Sequence, residues 1–296
     1  QKTLHSNSDE AEETYTTGLT SFDSDGFTIG SENAINDASF NHASWNWKAG
    51  NATLGTGDFT QGSLASTCSR NVDAGFSIVS YTGNETISTV GHGLSKAPEL
   101  LIVKHREAAT NWITLCTAGT DVVGYLNLTT AFGTSNLPYF FGNSGGGVYT
   151  APTATVFTIG GAGETQINDD TETFIAYCFH SVDGFSKVGS YTGNGNADGT
   201  FIYTGFRPAF VIIKPSSRGG HWMMANSESN PYNVVDKVIF ANDSAEEYTD
   251  PAADCKKDFF SNGFKIRTTD DNTNESDSTY IYLAFAETPF KYSNAR

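Results

Sequence analysis

An internal repeat constrains this chain more than any other feature. Asp73-Ala74-Gly75-Phe76-Ser77-Ile78-Val79-Ser80-Tyr81-Thr82-Gly83-Asn84 returns as Asp183-Gly184-Phe185-Ser186-Lys187-Val188-Gly189-Ser190-Tyr191-Thr192-Gly193-Asn194. Pro98 and the run Leu100-Leu101-Ile102-Val103-Lys104 return as Pro208 and Phe210-Val211-Ile212-Ile213-Lys214. A tryptophan follows each, Trp112 and Trp222, and an aromatic-rich apolar run closes each, Phe174–Phe179 and Tyr280–Phe285. Gly83 recurs as Gly193, 110 residues on, and Phe179 as Phe285, 106 residues on. A fixed period makes each copy one structural unit, so the fold follows from the unit. Phe76 and Phe185, Tyr81 and Tyr191, and Trp112 and Trp222 are expected at equivalent places.

A partial third copy opens the chain. Lys2-Thr3-Leu4-His5-Ser6-Asn7 matches Lys237-Val238-Ile239-Phe240-Ala241-Asn242, and Asp25-Gly26-Phe27-Thr28-Ile29 matches Asn262-Gly263-Phe264-Lys265-Ile266. His42-Ala43-Ser44-Trp45-Asn46-Trp47 stands where the closing aromatic strand belongs. The organisation read from this is the C-terminal half of a first repeat over 1–48, then a Gly/Ser/Thr linker or long loop over 49–72. A second repeat over 73–181 and a third over 182–296 follow. Half a sandwich exposes half its core. Completion is therefore expected from a neighbouring subunit or from an unobserved part of the chain.

Short Val/Ile-rich runs bounded by Pro and Gly read as buried strands, and no 3.6-residue amphipathic pattern persists. The expected fold is all-β: tandem β-sandwich repeats, jelly-roll or concanavalin-like, of about 106–110 residues, the first incomplete. With 17 basic against 33 acidic residues the net charge is −16. Such a chain repels phosphate backbones and anionic lipid, which argues against nucleic acid as a partner. No run approaches the ~18 apolar residues of a membrane helix, so no insertion is expected.

The chemistry that a site would need is sparse. No histidine accompanies a nucleophile elbow. The Gly-rich stretches Gly142–Gly147 and Gly193–Asn196 lack the Gly-Lys-Ser/Thr of a phosphate loop. No catalytic residue and no cofactor are expected. Asp270, Asp271, Asn272 and Asp277 form the densest group of oxygen ligands and are candidates for Ca²⁺, although Asp and Asn are also ordinary turn residues. Trp45, Trp47, Trp112 and Trp222 could stack on sugar rings, or pack. Asn51, Asn84, Asn127, Asn242 and Asn274 head Asn-X-Ser/Thr sequons and are candidate N-glycosylation sites. Cys68, Cys116, Cys178 and Cys255 match no disulfide framework and read as free thiols.

Three further stretches carry a resemblance: Ser44-Trp45-Asn46-Trp47-Lys48-Ala49-Gly50, Tyr191-Thr192-Gly193-Asn194-Gly195, and Pro289-Phe290-Lys291-Tyr292-Ser293-Asn294-Ala295-Arg296. With Thr204–Phe210 and Asn230–Asp236, they resemble an uncharacterised repeat domain of predicted tailed-phage structural and tail-fibre-like proteins from aquatic phages. In that family a SPRY-like domain and a further half-repeat often come first. The resemblance implies a virion or extracellular location, a C-terminus at Pro289–Arg296, and no catalytic residues. The expected function is a non-enzymatic structural or adhesive subunit of an extracellular assembly, a phage virion appendage serving host attachment, present as a homo-oligomer or polymer. The alternatives are a carbohydrate-binding module recognising host surface glycans, or the subunit of an extracellular filament.

Overall fold

The structure, a computed structural model, describes residues 1–50, 52–143, 147–161, 163–249 and 255–288. Strands make up 38% of the chain and helix 3%, so the class is all-β. Two units are each built on a six-stranded antiparallel sheet. In the earlier unit the strand order is Val122–Tyr125, Ile113–Cys116, Leu100–His105, Thr173–Phe179, Phe76–Thr82, Ser66–Asn71. In the later unit it is Ser186–Thr192, Thr279–Ala286, Pro208–Pro215, Met223–Asn226, Lys237–Phe240, Tyr248–Thr249. A smaller sheet lies over each: Ser88–Gly91 with Val156–Ile159, and Phe201–Tyr203, Gly263–Ile266 and Lys257–Phe260.

Alternation along the strands explains the layers. Val79, Tyr81, Leu101, Val103, Phe157, Ile159 and Phe174 share the core of the earlier sandwich. Tyr191, Val211, Ile213, Phe259, Phe264 and Tyr280 share that of the later one. The opposite faces of the large sheets are apolar too. Phe76, Leu100, Phe179, Val188, Ile281 and Leu283 meet in a further core between the units. This is why the closing strands carry apolar residues throughout: both faces are covered.

The two units keep the same register. Tyr81 faces Phe174 and Tyr191 faces Tyr280, each pair stacked, at 5.3 and 5.0 Å. Phe185 departs from its expected equivalence. Phe76 faces Phe179, but Ser186 faces Phe285. The Gly-Phe pair sits one place earlier in the later copy, with Tyr191 six positions after Phe185 and Tyr81 five after Phe76, so Phe185 falls just ahead of the strand and packs edge-on against Phe285 at 6.0 Å.

Within 49–72, Ser66–Asn71 is a strand beside Phe76–Thr82, and Phe59 and Cys68 enter the core. A strand reading Ser-Thr-Cys-Ser-Arg-Asn has few apolar residues to signal it. Residues 2–29 form two hairpins, Lys2–Thr3 with Glu13–Thr14 and Leu19–Phe22 with Phe27–Ile29, and a short helix spans Asn33–Asn36. His42–Trp47 forms no strand. Instead Trp45 packs on Phe210 at 5.6 Å, and Trp47 on Phe210 and Phe285 at 5.9 and 5.6 Å.

Candidate interaction site

The tryptophans that follow the Pro-bounded strands build the contacts between units. Each is fixed at its backbone by an asparagine of its own unit. The Trp112 N–H donates to Asn127 Oδ1 at 3.0 Å, and that of Trp222 to Asn242 Oδ1 at 2.7 Å. Each indole then reaches out of its unit. Trp112 Nε1 donates to the carbonyls of His5 and Ser8 at 3.0 and 3.1 Å. Trp222 Nε1 donates to the Tyr125 carbonyl at 2.9 Å. His5, Tyr125 and Phe240 hold the same place in their copies, two residues before Asn7, Asn127 and Asn242.

A backbone bond repeats alongside. The Glu12 N–H donates to the Arg106 carbonyl at 2.7 Å, and the Phe132 N–H to that of Ser216 at 2.8 Å. At the first junction Arg106 also grips Glu12 with two bonds of 2.9 Å. Burial alone would raise the Glu12 carboxyl, but the Arg106 guanidinium and the Lys2 ammonium together hold the group below its ordinary value. At the second junction Phe132 packs edge-on against Trp222 at 5.7 Å.

Both indoles are therefore buried and hydrogen-bonded, and neither presents a face for a sugar. Trp47 is 39% exposed, but its ring lies against the aromatic face of the last unit.

The sequon asparagines are largely structural. Asn127 and Asn242 anchor the tryptophans. Asn274 is wholly buried. Its Oδ1 accepts from the Asn194 N–H at 3.0 Å and its amide donates to the carbonyls of Asn196 and Thr268, both at 2.7 Å. Asn84 is half-buried and donates to Ser88 Oγ at 3.1 Å. Asn127, Asn242 and Asn274 are 7%, 9% and 0% exposed, so a glycan on any of their Nδ2 atoms would have to displace the packing around it. Asn51 and the Pro289–Arg296 stretch lie outside the described residues.

The Ca²⁺ candidates do not converge on one point. Asp271 is paired with Arg218 at 2.6 Å, and this bond holds its carboxyl below the ordinary value. Asp270 Oδ1 accepts from the Asn272 N–H at 2.8 Å, Asn272 Oδ1 from the His221 N–H at 3.4 Å, and Asp277 Oδ2 from the Ser276 hydroxyl at 3.3 Å. They shape a turn.

Among the described residues one other group has metal-like spacing: His105, Glu107 and Glu172. The histidine tautomer argues against a metal there. His105 Nδ1 accepts from the N–H groups of Glu107 and Ala108 at 3.2 and 3.1 Å, which leaves the ring proton of the neutral imidazole on Nε2. Glu107 in turn caps the Thr173 N–H at 2.8 Å. A cleft of about 120 Å³ lined by Val123, Tyr125, Phe132, Asn136 and Phe140 holds no ionisable acid, base or histidine apart from the Tyr125 phenol. Buried Glu164, pushed up to about 7 by desolvation, accepts from the Gln166 and Ile167 N–H groups and serves the backbone.

A model of the domain of unknown function DUF7483 matches residues 1–289. The chain belongs to that family. No curated protein and no solved structure matches it. The DUF7483 match runs from the partial copy through both full units, so the family's domain includes the junctions at Trp112 and Trp222. The sequence signal for these junctions was present. It is an asparagine at a matching place after each tryptophan, and the sequon reading obscured it.

Proposed function

We propose that this chain is a non-enzymatic structural and adhesive subunit of an extracellular assembly, a phage virion appendage of the tail-fibre kind, working as a homo-oligomer. The observation that carries the reading is the junction repeated at Trp112 and Trp222. A buried indole bonded to a main-chain carbonyl depends little on side-chain identity across the boundary, so it can be copied from unit to unit. The ionisable groups Asp271, Glu107 and Glu164 fit the same role, because they pair with a neighbouring charge or cap backbone. A second reading, a carbohydrate-binding module, is favoured by a different observation. Phe201, Tyr203 and Phe260 are exposed together on the small sheet of the last unit, and stacked sugars bind such rings. The test is the mass and shape of the native material by light scattering and electron microscopy. The structural reading expects a large symmetric particle or fibre. A monomer of 31.8 kDa that binds glycans would overturn it.

A further inference from the structure

We propose that the strand edge Phe201–Tyr203 of the last unit is a self-pairing surface, on which a second copy of this chain seats the same strand antiparallel about a two-fold axis. This surface rests on the homo-oligomer reading above and says where the copies meet.

The small sheet of the last unit has one open edge and one closed edge. Along the first strand, the Ile266 N–H donates to the Thr200 carbonyl at 3.1 Å, and the Thr204 N–H to the Asn262 carbonyl at 3.0 Å. Bonded pairs alternate along an antiparallel ladder, so Ile202 also turns its backbone inward, towards Phe264. The N–H and C=O groups of Phe201 and Tyr203 therefore point out of the sheet, and they meet no partner among the described residues. The far edge is closed. Lys257 exchanges both backbone bonds with Val235, at 2.8 and 3.0 Å. Asn233 imitates a strand beside Phe259: its Oδ1 accepts from the Phe259 N–H at 2.8 Å, and its Nδ2 donates to the carbonyl at 3.0 Å.

The earlier unit shows what such an edge takes. Thr89 faces Thr158 as Phe201 faces Lys265, and Gly91 faces Val156 as Tyr203 faces Gly263. The Thr89 carbonyl accepts from the Ser63 and Leu64 N–H groups at 2.9 and 3.0 Å, and the Thr89 N–H donates to Ser63 Oγ at 2.9 Å. The occupant there is extended polypeptide. It also covers Gly91, whose added Cβ would stand 2.6 Å from that of Gln61. The last unit has no such segment ahead of its first strand, since His180–Phe185 lead straight from Phe179 to Ser186. In place of Thr89 and Gly91 it carries Phe201 and Tyr203, 44% and 67% exposed. Phe260 adds a third ring, 6.1 Å from Phe201.

The strand's own sequence selects the occupant. Thr200-Phe201-Ile202-Tyr203-Thr204 has the same chemistry read from either end. Turned about a two-fold axis at Ile202, a second copy places its Tyr203 opposite Phe201 and its Thr204 opposite Thr200. The Phe201 N–H then donates to the Tyr203 carbonyl of the second copy, the Phe201 carbonyl accepts from that residue's N–H, and the axis repeats both bonds. This is strand addition, reinforced by aromatic pairs directly opposite each other. Edge strands are commonly guarded by lysine, proline or a bulge. Phe201–Tyr203 has none of these, and no charge to repel its own copy. Lys265, which faces Phe201, is matched by Asp198 at 2.7 Å.

The test is sedimentation of the full chain over a concentration series, with amide hydrogen exchange on the same samples. The mass should rise from 31.8 kDa to at least twice that value. The Phe201 and Tyr203 amides should slow about tenfold as it does, while the Ile202 amide, already bonded within the sheet, should not change. Tyr203→Lys and Tyr203→Pro remove no bond of the fold itself. Diluted, both should melt as the parent does, and their association should be at least tenfold weaker; if the proline variant melts early, the lysine variant decides. Association that neither variant weakens would overturn this surface and leave the homo-oligomer reading standing. A monomer at every concentration would overturn both. Amides of Phe201 and Tyr203 already slow in a monomer would mean that the chain covers its own edge. Added maltoheptaose shifting the Tyr203 ring resonances of a monomer would mean a sugar face. Either result overturns the proposal.

Discussion

The Trp222 indole donates across a unit boundary to the Tyr125 carbonyl at 2.9 Å, and Trp112 makes the same bond to His5 one unit earlier, at 3.0 Å. The direction is the same each time, from the later unit to the one before. The repeat is therefore a repeat of contacts as well as of folds.

Trp222→Phe keeps a ring against Phe132 and removes the indole donor. It should cost about 1 kcal/mol, the net worth of one hydrogen bond. Trp222→Ala removes the ring as well and should cost about 3–5 kcal/mol. Denaturant unfolding measures both. No loss in the Phe variant would mean that the bond contributes nothing.

The two asparagines Asn274 and Asn36 share chemistry but not surroundings. Asn274→Ala strands a buried N–H and two carbonyls, and should cost about 1–3 kcal/mol. Asn36 is exposed at the end of the short helix, so Asn36→Ala should stay within about 0.5 kcal/mol. The same denaturation series checks the contrast. Equal losses would place the two in equal environments.

Stability should depend on pH through buried groups, with opposite signs in separate windows. Burial lowers Lys104 and Lys214 from 10.5 to about 8. Between those values the unfolded chain keeps the lysine protons that the folded one has lost, so the lysines' contribution rises with pH. The buried thiols of Cys68 and Cys116, raised from 9.0 by burial, slope the other way above 9. The lysine effect is therefore read as the difference between the parent and Lys214→Met. Glu164 is raised from 4.5 to about 7, chiefly by desolvation. Its contribution is present below 4.5 and lost as pH rises through 7. His92, lowered to about 4 by burial, slopes the other way in part of that range. The Glu164 effect is therefore read as the difference between the parent and Glu164→Gln.

Calcium should not matter. Asp271 is already neutralised by Arg218, and Asp270, Asn272 and Asp277 point to different partners. A chelator or added Ca²⁺ should leave the melting temperature unchanged. A rise of several degrees with Ca²⁺ would show that the loop binds it.

Much of the fold was legible because the two offsets carry register. Tyr81 with Phe174 and Tyr191 with Tyr280 lie opposite each other at just those spacings. Ser66–Asn71 was not legible, since an outer strand needs only Cys68 inside. Phe185 misled because the Gly-Phe pair is displaced by one place while the Asp and Tyr on either side keep their spacing. The site was least legible. A tryptophan that packs and one that binds sugar look alike in sequence, and the acceptors of Trp112 and Trp222 are main-chain carbonyls that no residue type announces. Sequons likewise do not tell an exposed amide from Asn274, buried among three partners.

The most direct test of the shared junction is hydrogen exchange of the four indole N–H groups, followed by nuclear magnetic resonance. The account predicts slow exchange at Trp112 and Trp222 and fast exchange at Trp45 and Trp47, with Trp222 quickening when the second junction is loosened by Phe132→Ala. Fast exchange at all four would contradict it.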